Sequence, residues 1–510
     1  MKKSYIYLTT AMAMGLIACE PQFDTDINTT VASQDSGTAD FSNYVALGAS
    51  ITAGYADGAL FADGQNNAFP KIIADQMKAA GGGDFVTPSM DDNIGGFSGI
   101  YEEDGVTPKY PSRFVIDSET KLPVRFNDTP ANDYNNRISG DFNNYGIPGI
   151  KSFDVLDENY GNPSGVATDE ANPYFARIAS ADNATVIGDA SAQSPTFFSL
   201  WLGGNDVLSY ATAGGVGVLT DGEVEPTNDY DITNSQYFKS HFTSSLNIIK
   251  GGAGASGIVF NIPSVQDLPF FTRVAYNSIN WAELEANDDI ESAEDTVNAA
   301  NTGYAAYNAG LTAALELNLI DVDEYNERLI SFDAAGSDGV VIIDEYLTDL
   351  TVLNPALINM RKANENDRIL LTAGSLLGTP AVEGDATTVY GIGTPLDDSL
   401  VLVPEELELI ETATEDYNAI IRTAAIESGE DVMLFDAAQT LNDLTTTGIT
   451  SNGTTVYGAM GSAFSFDGIH LSEKGNAVFA NEVIEAINEH FGSTLQLVDP
   501  ADFGNIFTVK

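Results

Sequence analysis

Apolar residues run unbroken through "YVALG" at 44 to 48 and stop at a small turn that carries Ser50. A short apolar run closing on turn residues predicts a strand buried on both faces. In "AFPKIIADQMKAAGGG" the apolar positions fall at helical spacing, with Pro70 near the start and glycines past the end, which predicts a helix. The alternation recurs downstream. "SPTFFSLWLGGND" and "GASGIVFNIPSV" predict buried strands that close in polar or proline-containing turns. "PEELELIETATEDYNAIIRTAAIESGEDVMLFDA" predicts a helix followed by a strand, and "LSEKGNAVFANEVIEAINEHF" a final amphipathic helix. Strands alternating with helices imply an α/β fold with a mostly parallel sheet covered on both faces.

Long stretches rich in Gly, Asn, Asp and Thr separate these units, at about 84–140, 157–192 and 210–235. The longest insertion, 273–402, contains a helical pattern from 279 to 318 and two apparent strands, "GVVIIDE" and "DRILLTAG". It is long enough to form a cap or subdomain. No fixed-period repeat indicates a solenoid. The 510 residues therefore divide into an N-terminal leader, a polar segment 20–40 that reads as a flexible tether, one large domain 41–490 with insertions, and a tail 491–510.

Charge changes the picture of partners. With 74 acidic against 21 basic residues the chain carries a formal net charge of -53. Nucleic acid is a poor partner, because phosphate binding needs a basic surface. An acidic surface keeps the protein hydrated and suits saline surroundings, where self-repulsion is screened. The leader, "MKKSYIYLTTAMAMGLIAC", has a basic start, an apolar run too short to span a bilayer, and then Cys19, the single cysteine of the chain. Its end, "LIAC", resembles the bacterial lipobox, which implies acylation of Cys19 and a membrane anchor. The implied location is the cell envelope, with the outer membrane of a Gram-negative bacterium, on its periplasmic or surface face, as the expectation.

Candidate chemistry centres on Ser50. Ser and Gly are also ordinary turn residues, so its partners decide what it is. Of three histidines, His490 sits near the end of the last predicted helix and His241 within an amphipathic one, both positions that suit structural roles. His470 differs: it lies in the loop "FSFDGIHLSEKG" with Asp467 three residues upstream, where the carboxylate can hold the imidazole from its own loop. In "WLGGNDVL" the Asn205 amide ends a predicted strand and can donate to an oxyanion. In "NYGIPGIKSFDVL" Gly149 leaves a backbone N–H open to a substrate. Acidic pairs in "DDNIGG" and "NDYDITN" match no calcium-loop spacing and read as solvated loops.

In this order, "GASITAG", "NYGIPG", "GGND" and "DGIH" resemble the blocks of the SGNH hydrolases, also called the GDSL lipase/esterase family, over about residues 41 to 490. "VFNIPSVQDLPFF" and "DGIHLSEKGNAVFANEVIEAIN" are similar to its lipase-like branch. The resemblance implies a flavodoxin-like three-layer α/β/α sandwich. It implies Ser50 as nucleophile, Asp467 and His470 as its relay, and an oxyanion hole from Ser50, Gly149 and Asn205, with no metal or organic cofactor. Where the family's namesake block has Asp before the serine, this chain has Ala49. That aspartate is not the proton carrier, so the departure touches how the serine loop is positioned. The implied substrate is a carboxylic ester, of a lipid or of an acylated glycan. A carbohydrate acetyl esterase and a non-catalytic surface-binding lipoprotein stand beside it as alternatives.

Overall fold

The computed structural model describes residues 34–509 apart from 103, 223, 252–253, 280–292, 334–337 and 505–507. Five parallel strands form the central sheet: β1 (Tyr44–Gly48), β2 (Asn144–Gly146), β3 (Phe197–Trp201), β4 (Ser256–Phe260) and β5 (Val432–Phe435). Their order is β5-β4-β3-β1-β2, so the winding reverses between β1 and β3. The apolar runs of the sequence are these strands, and β1 and β3 are buried at every position.

Side chains alternate along each strand, and the two sets meet different helices. Trp201, Phe260 and Phe435 face Phe69 of α2 (Phe69–Met77) and Phe479 of α9 (Glu473–Phe491). The Trp201 and Phe479 rings stack at 5.0 Å and 9°, and Phe69 meets Phe479 edge-on at 5.2 Å. Such pairs add about 0.5–1.5 kcal/mol each beyond the area they bury. Across the sheet, Phe198 lies flat over Gly257, where a Cβ would fall 2.5 Å from its ring. On that side α3 (Val186–Ala192), α5 (Ser235–Lys250) and α7 (Pro404–Glu427) pack together, with Phe238 stacked on Tyr417 at 4.2 Å. The chain is thus α/β with helices on the sheet's two faces, compatible with a three-layer arrangement. Among the described residues no helix is long and apolar enough to cross a membrane.

Several sequence boundaries shift. The stretch 157–192 ends in α3, which packs against β1 and α5, so it is part of the main layer and not only an insertion. Seven residues make barely two turns, too short a period to stand out from the Gly, Asn and Asp around them. The tether's last residues, 34–40, are held: Thr38 donates its N–H to Phe491 O at 2.8 Å, and Ala39 is buried. The described part of the tail is likewise packed as far as 498, because Asn481 of α9 grips Val498 through both its N–H and its carbonyl. Thr508–Val509 then pairs in parallel with Phe114–Asp117. Cys19 and the leader lie outside the described residues.

Within 273–402, the described residues form apolar clusters of their own. Tyr304, Tyr307 and Leu311 of α6 (Ala293–Glu316) pack on Ile330, Val341 and Met360. "GVVIIDE" contains the strand Val341–Ile343, antiparallel to Met360–Lys362. In "DRILLTAG" only Arg368–Ile369 pairs as a strand, and Leu371–Ser375 turns as a 3-10 helix. Ile369, Leu370 and Ala373 are buried all the same, and an apolar run does not tell a buried strand from a buried turn. The insertion begins beside the His470 loop, where Phe270 donates its N–H to Gly468 O at 2.9 Å.

Candidate active site

Ser50 is the first residue of α1 (Ser50–Ala53), directly after β1 and at the carboxyl end of the sheet, next to the point where the winding reverses. Ligand crevices of open α/β sheets form there. Gly146 of β2 lets α1 approach: a Cβ at that position would fall 2.2 Å from Ala53 N. Asn144 donates its side-chain N–H to Thr52 O at 2.9 Å, and Tyr55 N–H returns to Ser50 O at 2.9 Å. Ala49 supplies no side-chain cap, so these bonds hold the turn in its place.

His470 comes from the loop before α9, 420 positions away, yet its Nε2 lies 2.8 Å from Ser50 Oγ. Its Nδ1 lies 2.9 Å from Asp467 Oδ2. Asp467 also accepts the N–H groups of Ile469 and His470 on Oδ1 and that of Gly58 on Oδ2, each at 2.9 Å. An ionised carboxylate only accepts, so Nδ1 carries a proton and Nε2 faces the serine as acceptor. Burial pushes the Asp467 carboxyl up, but the neighbouring His470 and the backbone donors outweigh it and hold it well below the usual carboxylate range. The Tyr55 ring packs on the imidazole at 4.7 Å and covers it.

Of the other expected residues, Asn205 shares the cavity of Ser50 and His470, and Gly149 lies on a neighbouring one. Asn205 opens α4 (Asn205–Thr212) after β3 and lines the same cavity as Ser50 and His470. One of its amide hydrogens goes to Ile150 O at 2.8 Å, which leaves the second to donate. Gly149 has φ +85°, the left-handed region glycine adopts freely, and its N–H meets no acceptor among the described residues. It lines a neighbouring polar cavity of about 380 Å³ with Tyr110, Lys151, Tyr160 and Asn172. Asp206 binds Ser152 through its N–H and Oγ at 2.8 and 2.6 Å, so Asn205 and Asp206 together clamp the Gly149 turn. His241 bonds Tyr237 O and His490 bonds Glu430 O, and neither lines the cavity at Ser50.

Beside Ser50 the wall is apolar. Trp201, Leu208, Ile262, Val265, Leu268 and Leu441 enclose a slot of about 70 Å³. Its chemistry follows from the placement: a base in contact with a hydroxyl, an acceptor that fixes the base, donors at two strand ends, and an apolar slot.

Four contributors were not read from the sequence: Tyr55, Asp57, Gly58 and Asp206. Only Asp206, adjoining Asn205 in "GGND", had a local signal. Asp57 accepts Phe466 N–H at 3.0 Å while its own N–H goes to Ser465 Oγ at 2.9 Å, so it braces the loop that carries Asp467. Burial raises its pKa to about 6, the Phe466 N–H opposes that, and the Asp467 charge adds to it. Because the folded value lies above the unfolded one, the stability it contributes is full below about pH 4 and is lost as pH rises through about 6. Asp57→Asn keeps the acceptor and suits the positive φ of 53°. The expected result is a variant whose Tm advantage over the parent grows between pH 4 and 7. A difference that stays flat with pH would show that Asp57 carries no buried charge.

The chain matches no family model, no curated protein and no solved structure.

Proposed function

We propose that this protein is a serine ester hydrolase of the SGNH (GDSL) kind, working through an acyl-enzyme on Ser50. The observation that carries the reading is the continuous chain from Ser50 Oγ through His470 to Asp467, at 2.8 and 2.9 Å. The strand order 2-1-3-4-5, which flavodoxin-like sheets share, supports it by putting Ser50, Gly149 and Asn205 after three adjacent strands.

In this mechanism His470 takes the Ser50 proton as Oγ attacks the ester carbonyl. The Ser50 and Gly149 N–H groups and the second Asn205 amide hydrogen receive the oxyanion. His470 then protonates the leaving alcohol, and water releases the acid by the same steps. Asp467 keeps the imidazole oriented and stabilises its charged form.

The slot beside Ser50 sets the acyl group. At about 70 Å³ it is less than half of a cavity that takes benzene, about 150 Å³, which favours a short acyl chain. The polar cavity that Gly149 lines favours a hydrophilic alcohol, so an acylated glycan is the second reading, ahead of a long-chain lipid. An acyl anchor on Cys19 would hold the enzyme at the cell envelope, with the outer membrane as the proposed site.

The test is hydrolysis of p-nitrophenyl esters from acetate to palmitate by residues 20–510, with fluorophosphonate labelling in parallel. The expected optimum is acetate to butyrate, with label on Ser50. An optimum at palmitate would overturn the short-acyl reading. A folded protein that neither labels nor hydrolyses would point to the surface-binding lipoprotein.

A further inference from the structure

Away from Ser50, three carboxyl groups from separate segments converge where the insertion meets the main body. Glu345 follows the strand Val341–Ile343, Asp398 opens the turn Asp398–Leu400, and Glu406 lies in the first turn of α7. One oxygen from each lies within 4.8 Å of those of the other two. The insertion's buried and half-buried cations among the described residues are engaged elsewhere: Arg328 with Glu324, Arg361 with Asp344 and Asp367, Lys362 with Asp338, and Arg368 with the carbonyls of Glu365 and Asp367.

Glu406 makes this more than an acidic cluster. Its side chain is fully buried, its Oε2 takes Val403 N–H at 2.8 Å, and its Oε1 has no hydrogen-bond partner among the described residues. Gly215, at φ +79°, closes over that oxygen so tightly that a Cβ would fall 1.6 Å from it. Burial pushes the Glu406 pKa up, the Val403 N–H opposes it, and the Glu345 and Asp398 carboxyls add to it, Glu345 from hydrogen-bonding distance. A buried carboxylate normally has a compensating charge and full hydrogen bonding.

We propose that Glu345, Asp398 and Glu406 bind a hard divalent cation, calcium before magnesium, which clips the insertion to α7. Calcium takes oxygen ligands at about 2.3–2.6 Å, so two oxygens on one ion stand about 3.5 Å apart at right angles and about 5 Å apart when opposed. The observed spacing fits one coordination sphere. Ligands from three segments suit calcium's flexible geometry better than the tight octahedron of magnesium. Glu345 is exposed, so water reaches that side and can complete the shell.

The experiment uses the full chain, stripped with EDTA and held at about 1 M NaCl to screen diffuse binding to its acidic surface. Calorimetric titration with calcium chloride is expected to give one ion per chain and a Tm several degrees higher, with a smaller response to magnesium. Glu345→Gln with Asp398→Asn, at the more accessible ligands, is expected to fold, to weaken calcium at least about tenfold and to lose the Tm gain. Terbium luminescence sensitised by Tyr210 and Tyr346, both close enough to feel the Glu406 charge, reports the same site. No heat and no Tm change in the parent would overturn the proposal in favour of a proton shared among the carboxyls. Calcium binding that the double variant leaves intact would overturn it in favour of another acidic patch.

Discussion

Ser50→Ala is expected to abolish ester hydrolysis, lowering kcat by about a million-fold, the scale on which removing a serine nucleophile acts. The argument is local. Ser50 Oγ is the atom in contact with His470 Nε2, and among the described residues no second hydroxyl bonds that nitrogen. Folding should be nearly untouched, since alanine occupies the same small space and the bonds that hold the turn come from Asn144 and from the backbone of Tyr55. The measurements are steady-state hydrolysis of a short p-nitrophenyl ester, fluorophosphonate labelling and Tm. Labelling and turnover that persist in a folded variant would remove Ser50 from the mechanism.

Asp467→Asn should cost about ten-thousand-fold in kcat by presenting the imidazole in the wrong tautomer. The carboxylate takes Ile469 and His470 N–H on one oxygen and Gly58 N–H with His470 Nδ1 on the other. An amide supplies one oxygen. Its NH₂ then faces donors: with Oδ1 kept toward Ile469, it meets Gly58 N–H and leaves Nδ1 able only to accept. Stability falls as well, and the sign is set by the depressed native pKa. Stability from such a carboxylate is present above its unfolded value, about 3.9, and is lost on acidification. The Tm gap between parent and variant should therefore be full at pH 7 and shrink below about pH 4, opposite to the trend at Asp57. Hydrolysis within tenfold of the parent would show that Asp467 does not orient the base.

Patterning alone was enough for the elements whose signal is local. The runs "YVALG" and "TFFSLW" are too short for a buried helix, and as strands they pair their backbone groups in the parallel ladder between two helical layers. The final helix was legible from its spacing, and the structure adds the Ser472 hydroxyl, which accepts the Gly475 N–H as its cap. Asp467 and His470 were readable as a pair because they lie three positions apart in one loop. By contrast, α3 went unread since seven residues give too short a period, and the two-residue strand Arg368–Ile369 looked longer because its buried turn is equally apolar.

What the linear chain determined, then, is the α/β alternation, the strongly acidic surface and the residue types on offer: one serine turn, one glycine turn, one asparagine and one Asp-x-x-His loop. Only the tertiary structure decided that Ser50 and His470 touch across 420 positions, because α9 packs on α2 and Trp201 while Asp57 and Gly58 hold the loop before it against the serine turn. It also decided the size of the slot at Ser50, the bracing by Tyr55, Asp57 and Gly58, and the meeting of Glu345, Asp398 and Glu406. Those contacts depend on distance through space, and a sequence carries distance only along the chain.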